Sequence, residues 1–185
     1  MVCGPRGSRA EEMRIISGQY KGQKIISPGS RETHPMGARE KLALFNMVDV
    51  HDLTVLDAFA GSGALGFEAL SRGAKSVVFV ENSSRAIGAI KENLTGLGQH
   101  DSEIGAKTET YKQKVRQFAV EKTGEMSFDI ILADPPYQHI DLVEIEALTG
   151  LLKKDGTLVL SSPARTEAPD LQSTELVSSR IYAGA

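Results

Sequence analysis

The chain has few of the features that mark secreted, membrane-bound or metal-containing proteins. A single cysteine, Cys3, occurs among its 185 residues, which excludes a disulfide framework and an iron–sulfur cluster bound by local cysteines. Its four histidines are too scattered to indicate a metal site. No apolar run is long enough to span a bilayer, and residues 1–12 lack the apolar core of a signal peptide. We therefore expect a cytoplasmic protein with no bound metal and no membrane partner.

Length and composition are typical of one α/β domain with a small addition. The chain is 41% hydrophobic and 24% charged, enough to bury a single good core. Residues 1–12 have no periodic apolar pattern and are expected to form a flexible extension. A β-rich segment broken by Gly18 and Gly22 predicts a hairpin, followed by a helix, over residues 13–50. Residues 51–185 alternate strands and helices, and we expect a monomer.

A glycine-rich turn, Asp57-Ala-Phe-Ala-Gly61-Ser-Gly63-Ala-Leu-Gly66, joins a predicted strand to a predicted helix. Gly61 and Gly63 allow the backbone to turn sharply and approach a ligand, while Gly66 allows the helix to pack closely on the strand. The next apolar run ends in Glu81, about twenty residues beyond the first glycine, where a carboxylate can accept both hydroxyls of a ribose. The turn therefore predicts a nucleotide-binding site.

Three interpretations of this turn compete: a dinucleotide site, an S-adenosylmethionine site, and a turn that is only structural. Asp57 favours the second, because a carboxylate there suits a sulfonium and an amino group but not a pyrophosphate. The predicted cofactor-binding residues are Asp57, Phe59, Ala60, Gly61, Ser62, Gly63, Gly66, Glu81 and Asn82.

A second motif, Asp134-Pro135-Pro136-Tyr137, follows an apolar run that predicts a central strand. The Asp134 carboxylate and the Pro135 carbonyl can accept the two N–H bonds of an exocyclic base amine and so orient its lone pair. Pro136 stiffens the loop, and Tyr137 can stack on the base. Together the two motifs predict methyl transfer from S-adenosylmethionine to a base nitrogen, with these four residues as the catalytic set.

Positive charge is concentrated near the N-terminus. Residues 13–41 carry six Lys and Arg against two Glu, in a chain whose net charge is −3. A basic segment beside a catalytic body is what docking to a phosphate backbone requires, although a solvated face is the plain alternative. The predicted RNA-binding residues are Arg14, Tyr20, Lys21, Lys24 and Arg39.

The chain resembles the bacterial 16S ribosomal RNA (guanine-N2)-methyltransferases. The resemblance lies in residues 13–22 and 39–46, the glycine turn and the Asp-Pro-Pro-Tyr motif. It implies a Rossmann-like, seven-stranded methyltransferase sheet with helices on both faces and a small N-terminal hairpin and helix. It also implies S-adenosylmethionine as methyl donor, and 16S ribosomal RNA or the assembling small ribosomal subunit as partner.

The chain departs from this family at three places. His34-Pro35-Met36 replaces an Arg-Pro-Thr element, no side chain can be assigned to the adenine of the cofactor, and the chain stops at Ala185, so that the family's last strand is expected to be truncated. Two other functions stay open. One is adenine-N6 methylation of DNA or RNA, and the other is a nucleotide-sensing RNA-binding protein without catalytic turnover.

Overall fold

The computed structural model describes residues 13–28, 36–137, 140–163 and 169–179. The expected extension at 1–12, His34 and Pro35 of the departing element, and the end of the chain at Ala185 lie outside these ranges. The described elements alternate along the chain. They are α1 (Ala38–Phe45), β1 (Thr54–Ala58), α2 (Ala64–Ser71), β2 (Ser76–Glu81), α3 (Ser84–Gly98), a 3-10 helix (Ile104–Lys107), β3 (Thr108–Lys112), α4 (Val115–Lys122), β4 (Phe128–Ala133), α5 (Leu142–Thr149) and β5 (Leu152–Leu160).

The described strands form one sheet in the order β3-β2-β1-β4-β5, and every neighbouring pair is parallel. A parallel sheet needs helices over both faces, since each crossover must return across the sheet. The predicted α/β fold is confirmed in this respect. Within the described residues the sheet has five strands, so the predicted seven are not confirmed.

Alternate residues of the central strands enter two separate hydrophobic cores. Val55 and Phe79 face a core that includes residues of α1, α2 and α3. Leu56 and Val78 face a second core built with α4 and α5. This alternation explains why β1, β2 and β4 are apolar at nearly every position, as the sequence predicted for buried strands. It also leaves polar side chains to the strand ends.

The N-terminal segment pairs with itself and packs into the first core. Arg14 and Lys24 form an antiparallel bridge, and the Ile15 N–H donates to the Gln23 carbonyl at 3.0 Å. Ile15 and Ile25 are 2% and 4% exposed and pack with residues of the sheet. Gly18 approaches Ser71 so closely that a Cβ would lie 1.8 Å from its carbonyl oxygen. The predicted appendage is therefore anchored along α2.

Candidate active site

Both predicted motifs follow strands that are neighbours in the middle of the sheet. Ala58, the last residue of β1, is paired with Ala133, the last residue of β4. The chain extends from β1 towards β2 and β3 on one side, while β4 and β5 lie on the other. This is the topological switch point of the sheet, where open α/β folds bind their ligands. The glycine turn and Asp134 therefore open onto the same crevice.

The glycine turn has a left-handed backbone at three positions. Phe59 has a φ of 62°, Gly61 of 55° and Gly63 of 79°. A left-handed conformation at a residue with a side chain costs about 1–3 kcal/mol and persists where surrounding contacts impose it. Here the Ala60 N–H donates to the Val80 carbonyl at 3.0 Å, and the Gly63 N–H donates to the Ala60 carbonyl at 2.7 Å.

The three glycines of the turn differ in what surrounds them. A Cβ at Gly66 would lie 2.3 Å from Phe79 Cε1, and one at Gly63 would lie 2.6 Å from Phe67 Cε2. These two glycines permit close packing, as predicted for Gly66 but not for Gly63. Around Gly61 the nearest atom is the Phe59 carbonyl oxygen at 4.0 Å, which leaves room for a ligand beside the backbone.

Two carboxylates hold the turn in place. Glu81 accepts a hydrogen bond from the Gly61 N–H at 2.8 Å and another from the Ser83 N–H at 2.7 Å. Asp57 accepts from the Gly66 N–H at 2.8 Å, at the start of α2. Because a carboxylate has about four acceptor sites, Glu81 keeps capacity for ribose hydroxyls while it anchors the backbone.

Asp57 lies in an unusual electrostatic environment. Its side chain is 2% exposed, and burial raises the pKa of this carboxyl well above its ordinary value. The hydrogen bond from Gly66 lowers the pKa, whereas the negative charges of Asp134 and Glu81 raise it further. Three carboxyl groups thus share one small region of the crevice. A cationic ligand would relieve their mutual repulsion, and this fits a sulfonium and an ammonium group.

The Asp134-Pro-Pro-Tyr loop forms the opposite wall. Asp134 is half-buried and Pro135 is buried, whereas Tyr137 is 52% exposed. The hydroxyl groups of Tyr137 and Ser161 lie 2.7 Å apart. Burial raises the pKa of Asp134, a hydrogen bond with Ser161 lowers it, and the charge of Glu40 raises it. The loop presents a partly shielded acceptor and an accessible aromatic ring.

Helix α1 contributes to this wall, which the sequence did not predict. Glu40, in its first turn, acts electrostatically on both Asp134 and Tyr137. The Glu40 carboxylate also accepts from the Gly37 N–H at 2.6 Å, which fixes the start of the helix. Arg39 is exposed and, like Glu40, lines the crevice.

The predicted RNA-binding residues separate into different environments. Arg14, Lys21, Lys24 and Arg39 are exposed, but Tyr20 is only 5% exposed and its hydroxyl donates to Asp101 at 2.5 Å. Burial and the Asp101 contact raise the pKa of Tyr20. A ring in the core cannot stack on a base, so the assignment of Tyr20 to RNA is wrong.

Lys41, one of the six basic residues counted near the N-terminus, is also buried. Its ammonium donates to the Arg14 carbonyl at 3.2 Å, and burial lowers its pKa while Glu68 raises it. Lys41 ties α1 to the N-terminal segment and adds no surface charge.

Two buried polar residues that the sequence did not reveal connect the N-terminal segment to the site. Glu68 accepts from the Ile16 and Ser17 N–H groups at 2.7 and 3.0 Å. Asn93 accepts from the Ile26 N–H at 2.8 Å and donates to the Ser62 carbonyl in the glycine turn at 3.1 Å. The available sign of both residues in the sequence was a polar side chain on the inward-facing side of a predicted helix.

Of the other predicted cofactor-binding residues, Ser62 is buried within the turn and Asn82 is exposed beside Glu81. In the described ranges no group of three His, Cys, Asp or Glu side chains could hold a metal ion. None of the helices described is long and apolar enough to cross a membrane.

Comparison with known proteins agrees with this geometry. The family described as Conserved hypothetical protein 95 matches residues 13–185. The chain is 40% identical over 135 residues to Ribosomal RNA small subunit methyltransferase D of Haemophilus influenzae, covering 72% of this chain and 67% of that protein. It is 33% identical over 164 residues to the Putative rRNA methyltransferase YlbH of Bacillus subtilis, covering 85% and 86%. The solved structure of the putative methyltransferase yhhF from Escherichia coli has a TM-score of 0.72 at 29% identity, covering 85% and 86%.

A parallel sheet with a glycine turn and an Asp-Pro-Pro-Tyr loop at its switch point defines a Rossmann-like methyltransferase of class I. Within that class the chain belongs to the Conserved hypothetical protein 95 family, whose match begins at Met13. The predicted resemblance to bacterial small-subunit ribosomal RNA methyltransferases is thereby confirmed.

Proposed function

We propose that this protein transfers a methyl group from S-adenosylmethionine to the exocyclic N2 amine of a guanine in 16S ribosomal RNA. The observation that carries the proposal is the pairing of Ala58 with Ala133. It brings a nucleotide-binding turn and a base-amine acceptor to one crevice at the switch point of the sheet. Either motif alone would support a much wider range of functions.

The donor side is assigned to the glycine turn with Asp57 and Glu81. The open space at Gly61 allows a ligand to reach the backbone, and Glu81 lies beside it to accept ribose hydroxyls. Asp57, buried beside the turn, provides a carboxylate that an ammonium or sulfonium cation would keep ionised. When bound, S-adenosylmethionine supplies an electrophilic methyl group. The turn would hold the cofactor in the same crevice as the Asp134 loop.

The acceptor side is assigned to Asp134, Pro135, Pro136 and Tyr137. An exocyclic base amine is a poor nucleophile because its lone pair is delocalised into the ring. Asp134 and the Pro135 carbonyl accept its two N–H bonds and favour a pyramidal nitrogen, so that orientation provides most of the catalysis. The exposed ring of Tyr137 stacks on the base once it leaves its own stack, a contact worth about 1–3 kcal/mol.

The choice of guanine N2 as the methylated atom and the choice of small-subunit RNA as the substrate are supported by different observations. The name of the Haemophilus influenzae relative identifies that protein as a small-subunit ribosomal RNA methyltransferase, and we extend this substrate to the present chain. The choice of guanine N2 over adenine N6 rests on the N-terminal resemblance, because the Asp-Pro-Pro-Tyr loop suits either amine. Arg39 lies at the crevice, and we assign it, with Arg14, Lys21 and Lys24, to phosphate contacts.

Product analysis tests this proposal directly. The full chain is incubated with labelled S-adenosylmethionine and 16S RNA, either free or in small subunits that lack the modification, and the RNA is digested to nucleosides. We expect labelled N2-methylguanosine, and none with Asp134→Ala. Labelled N6-methyladenosine would overturn the guanine assignment. Cofactor binding without any labelled nucleoside would favour the non-catalytic RNA-binding protein.

A further inference from the structure

Ser161 lies at the carboxyl end of β5, directly beside the acceptor loop. Leu160, the last residue of β5, pairs with Ala133, and the Ser161 N–H donates to the Ala133 carbonyl at 2.8 Å. The backbone of Ser161 is therefore fixed next to the residue that precedes Asp134. A serine at this place has its position set by the sheet rather than by a loop.

The Ser161 hydroxyl reaches two members of the acceptor loop. Its oxygen lies 2.7 Å from the Tyr137 hydroxyl, and hydrogen bonding from Ser161 lowers the pKa of the Asp134 carboxyl. An ionised carboxylate only accepts hydrogen bonds, so the Ser161 O–H must donate to Asp134. Tyr137, Ser161 and Asp134 thus form a chain of side chains with Ser161 in the middle.

We propose that Ser161 is a positioning residue for the acceptor base, because it joins the amine-binding carboxylate of Asp134 to the stacking ring of Tyr137 in one unit. This inference rests on the proposed function of the two residues that it connects. It gives the residue that follows β5 a role on the acceptor side, although neither sequence motif includes this residue.

The surroundings of Asp134 explain why this serine matters. Among the residues that the structure describes, the charged and titratable groups that face Asp134 are Glu40 from α1, Asp57 from β1 and Tyr137 from its own loop. None of them is a cation, and burial and Glu40 raise the pKa of Asp134 while the Ser161 hydroxyl lowers it. Removing the Ser161 hydroxyl therefore favours the protonated form of Asp134. A protonated carboxyl has less capacity to accept the N–H bonds of the base amine.

The test compares Ser161→Ala, Ser161→Thr and Tyr137→Phe with the wild type. Single-turnover methylation of 16S RNA is measured across pH, and cofactor affinity is measured by calorimetry. We expect Ser161→Ala to slow methylation about tenfold, the scale of one hydrogen bond to a charged group. Its cofactor affinity should stay within about twofold of wild type, since the contact lies on the acceptor side.

The pH profile separates positioning from a general structural role. If Asp134 must be ionised, activity falls as pH decreases through its pKa, and loss of the Ser161 hydrogen bond moves this acid limb to higher pH. Ser161→Thr keeps a hydroxyl and should restore both the rate and the limb. Tyr137→Phe keeps the aromatic ring but removes the hydroxyl that contacts Ser161. It tests the same contact if the Ser161→Ala protein does not fold.

Ser162→Ala is the matched control, since Ser162 forms no side-chain hydrogen bond among the residues that the structure describes. It should leave rate and pH profile unchanged. A Ser161→Ala protein with the wild-type rate and acid limb would overturn the positioning role, as would effects of Ser161→Ala and Tyr137→Phe that simply add in the double variant. A wild-type chain that methylates no guanine would instead refute the proposed function.

Discussion

The two walls of the crevice differ in how completely the folded chain organises them. The donor half, residues 57–66 with Glu81, is held by backbone pairing to β2 and by two carboxylates that accept from Gly61 and Gly66. The acceptor half, residues 134–137 with Ser161, contains two prolines without N–H groups and an exposed tyrosine. One wall is preorganised, and the other is open.

This difference agrees with the sizes of the two proposed ligands. A small cofactor must be gripped by fixed groups, since it offers few contacts beyond them. A nucleotide within a long RNA brings its own binding energy from distant phosphates, and it must enter a space that can receive a flipped base. We therefore expect substitutions in the donor half to change affinity for the cofactor, and those in the acceptor half to change turnover.

The sharpest test of this division is Asp134→Ala. The variant should lose more than about 100-fold in kcat while its cofactor affinity stays within about tenfold, because the carboxylate orients only the acceptor amine. Single-turnover kinetics and calorimetry measure the two quantities. Glu92→Ala, which removes an exposed carboxylate of α3, controls for charge. Methylation by Asp134→Ala at the wild-type rate would contradict the amine clamp.

The converse test is Glu81→Ala in the donor half. Loss of the ribose contacts should weaken S-adenosylmethionine binding by about 1.5–3 kcal/mol, the range for hydrogen bonds to a charged group. Glu81→Gln preserves the shape of the side chain and should cost less. Calorimetry decides the outcome: unchanged affinity in a folded Glu81→Ala protein would remove Glu81 from the cofactor site. Tighter binding of a nicotinamide dinucleotide would restore the interpretation of the turn as a dinucleotide site.

Preorganisation of the donor half can also be tested through stability. In Gly66→Ala the new Cβ would lie 2.3 Å from Phe79 Cε1 and 2.9 Å from Val77 Cγ1, and overpacking of this kind costs about 1–3 kcal/mol. Gly88→Ala is the matched control, since Gly88 is also helical and has nothing within 4 Å of its Cβ position. It should stabilise the protein by about 0.5–1 kcal/mol. Equal unfolding free energies in urea would contradict the packing argument.

The features that the sequence predicted well are local. The apolar run before Asp134 predicted a central strand, and β4 occupies Phe128–Ala133 between two neighbours in the sheet. Each motif carries its own signal within about ten residues, and the switch point follows from the parallel order of the strands.

The features that the sequence missed depend on partners far along the chain. Ser161 acts on Tyr137 across 24 positions, and Asn93 joins segments that lie 67 and 31 positions away. Tyr20 was assigned to RNA because it is flanked by lysine, but its partner Asp101 is 81 positions away. A window along the sequence contains none of these contacts, since they arise only when β5 pairs with β4 and when the N-terminal segment packs beside α2 and α3.

The smallest effects are expected for the basic residues, and these effects should differ between residues at the crevice and residues away from it. Lys21 lies in the turn beside Ser71, at the end of α2 away from the crevice; eight helical residues span about 12 Å. Arg39 lines the crevice itself.

Arg39→Ala should therefore lower kcat/KM for RNA. The double variant Lys21→Ala/Lys24→Ala should mainly weaken RNA binding. Each lost phosphate contact should reduce the salt dependence of binding by about 0.7 log units on single-stranded RNA. Salt titrations with Lys91→Ala, an exposed lysine of α3, as charge-matched control measure this slope. Identical slopes for the wild type and the double variant would show that these lysines form only a solvated face.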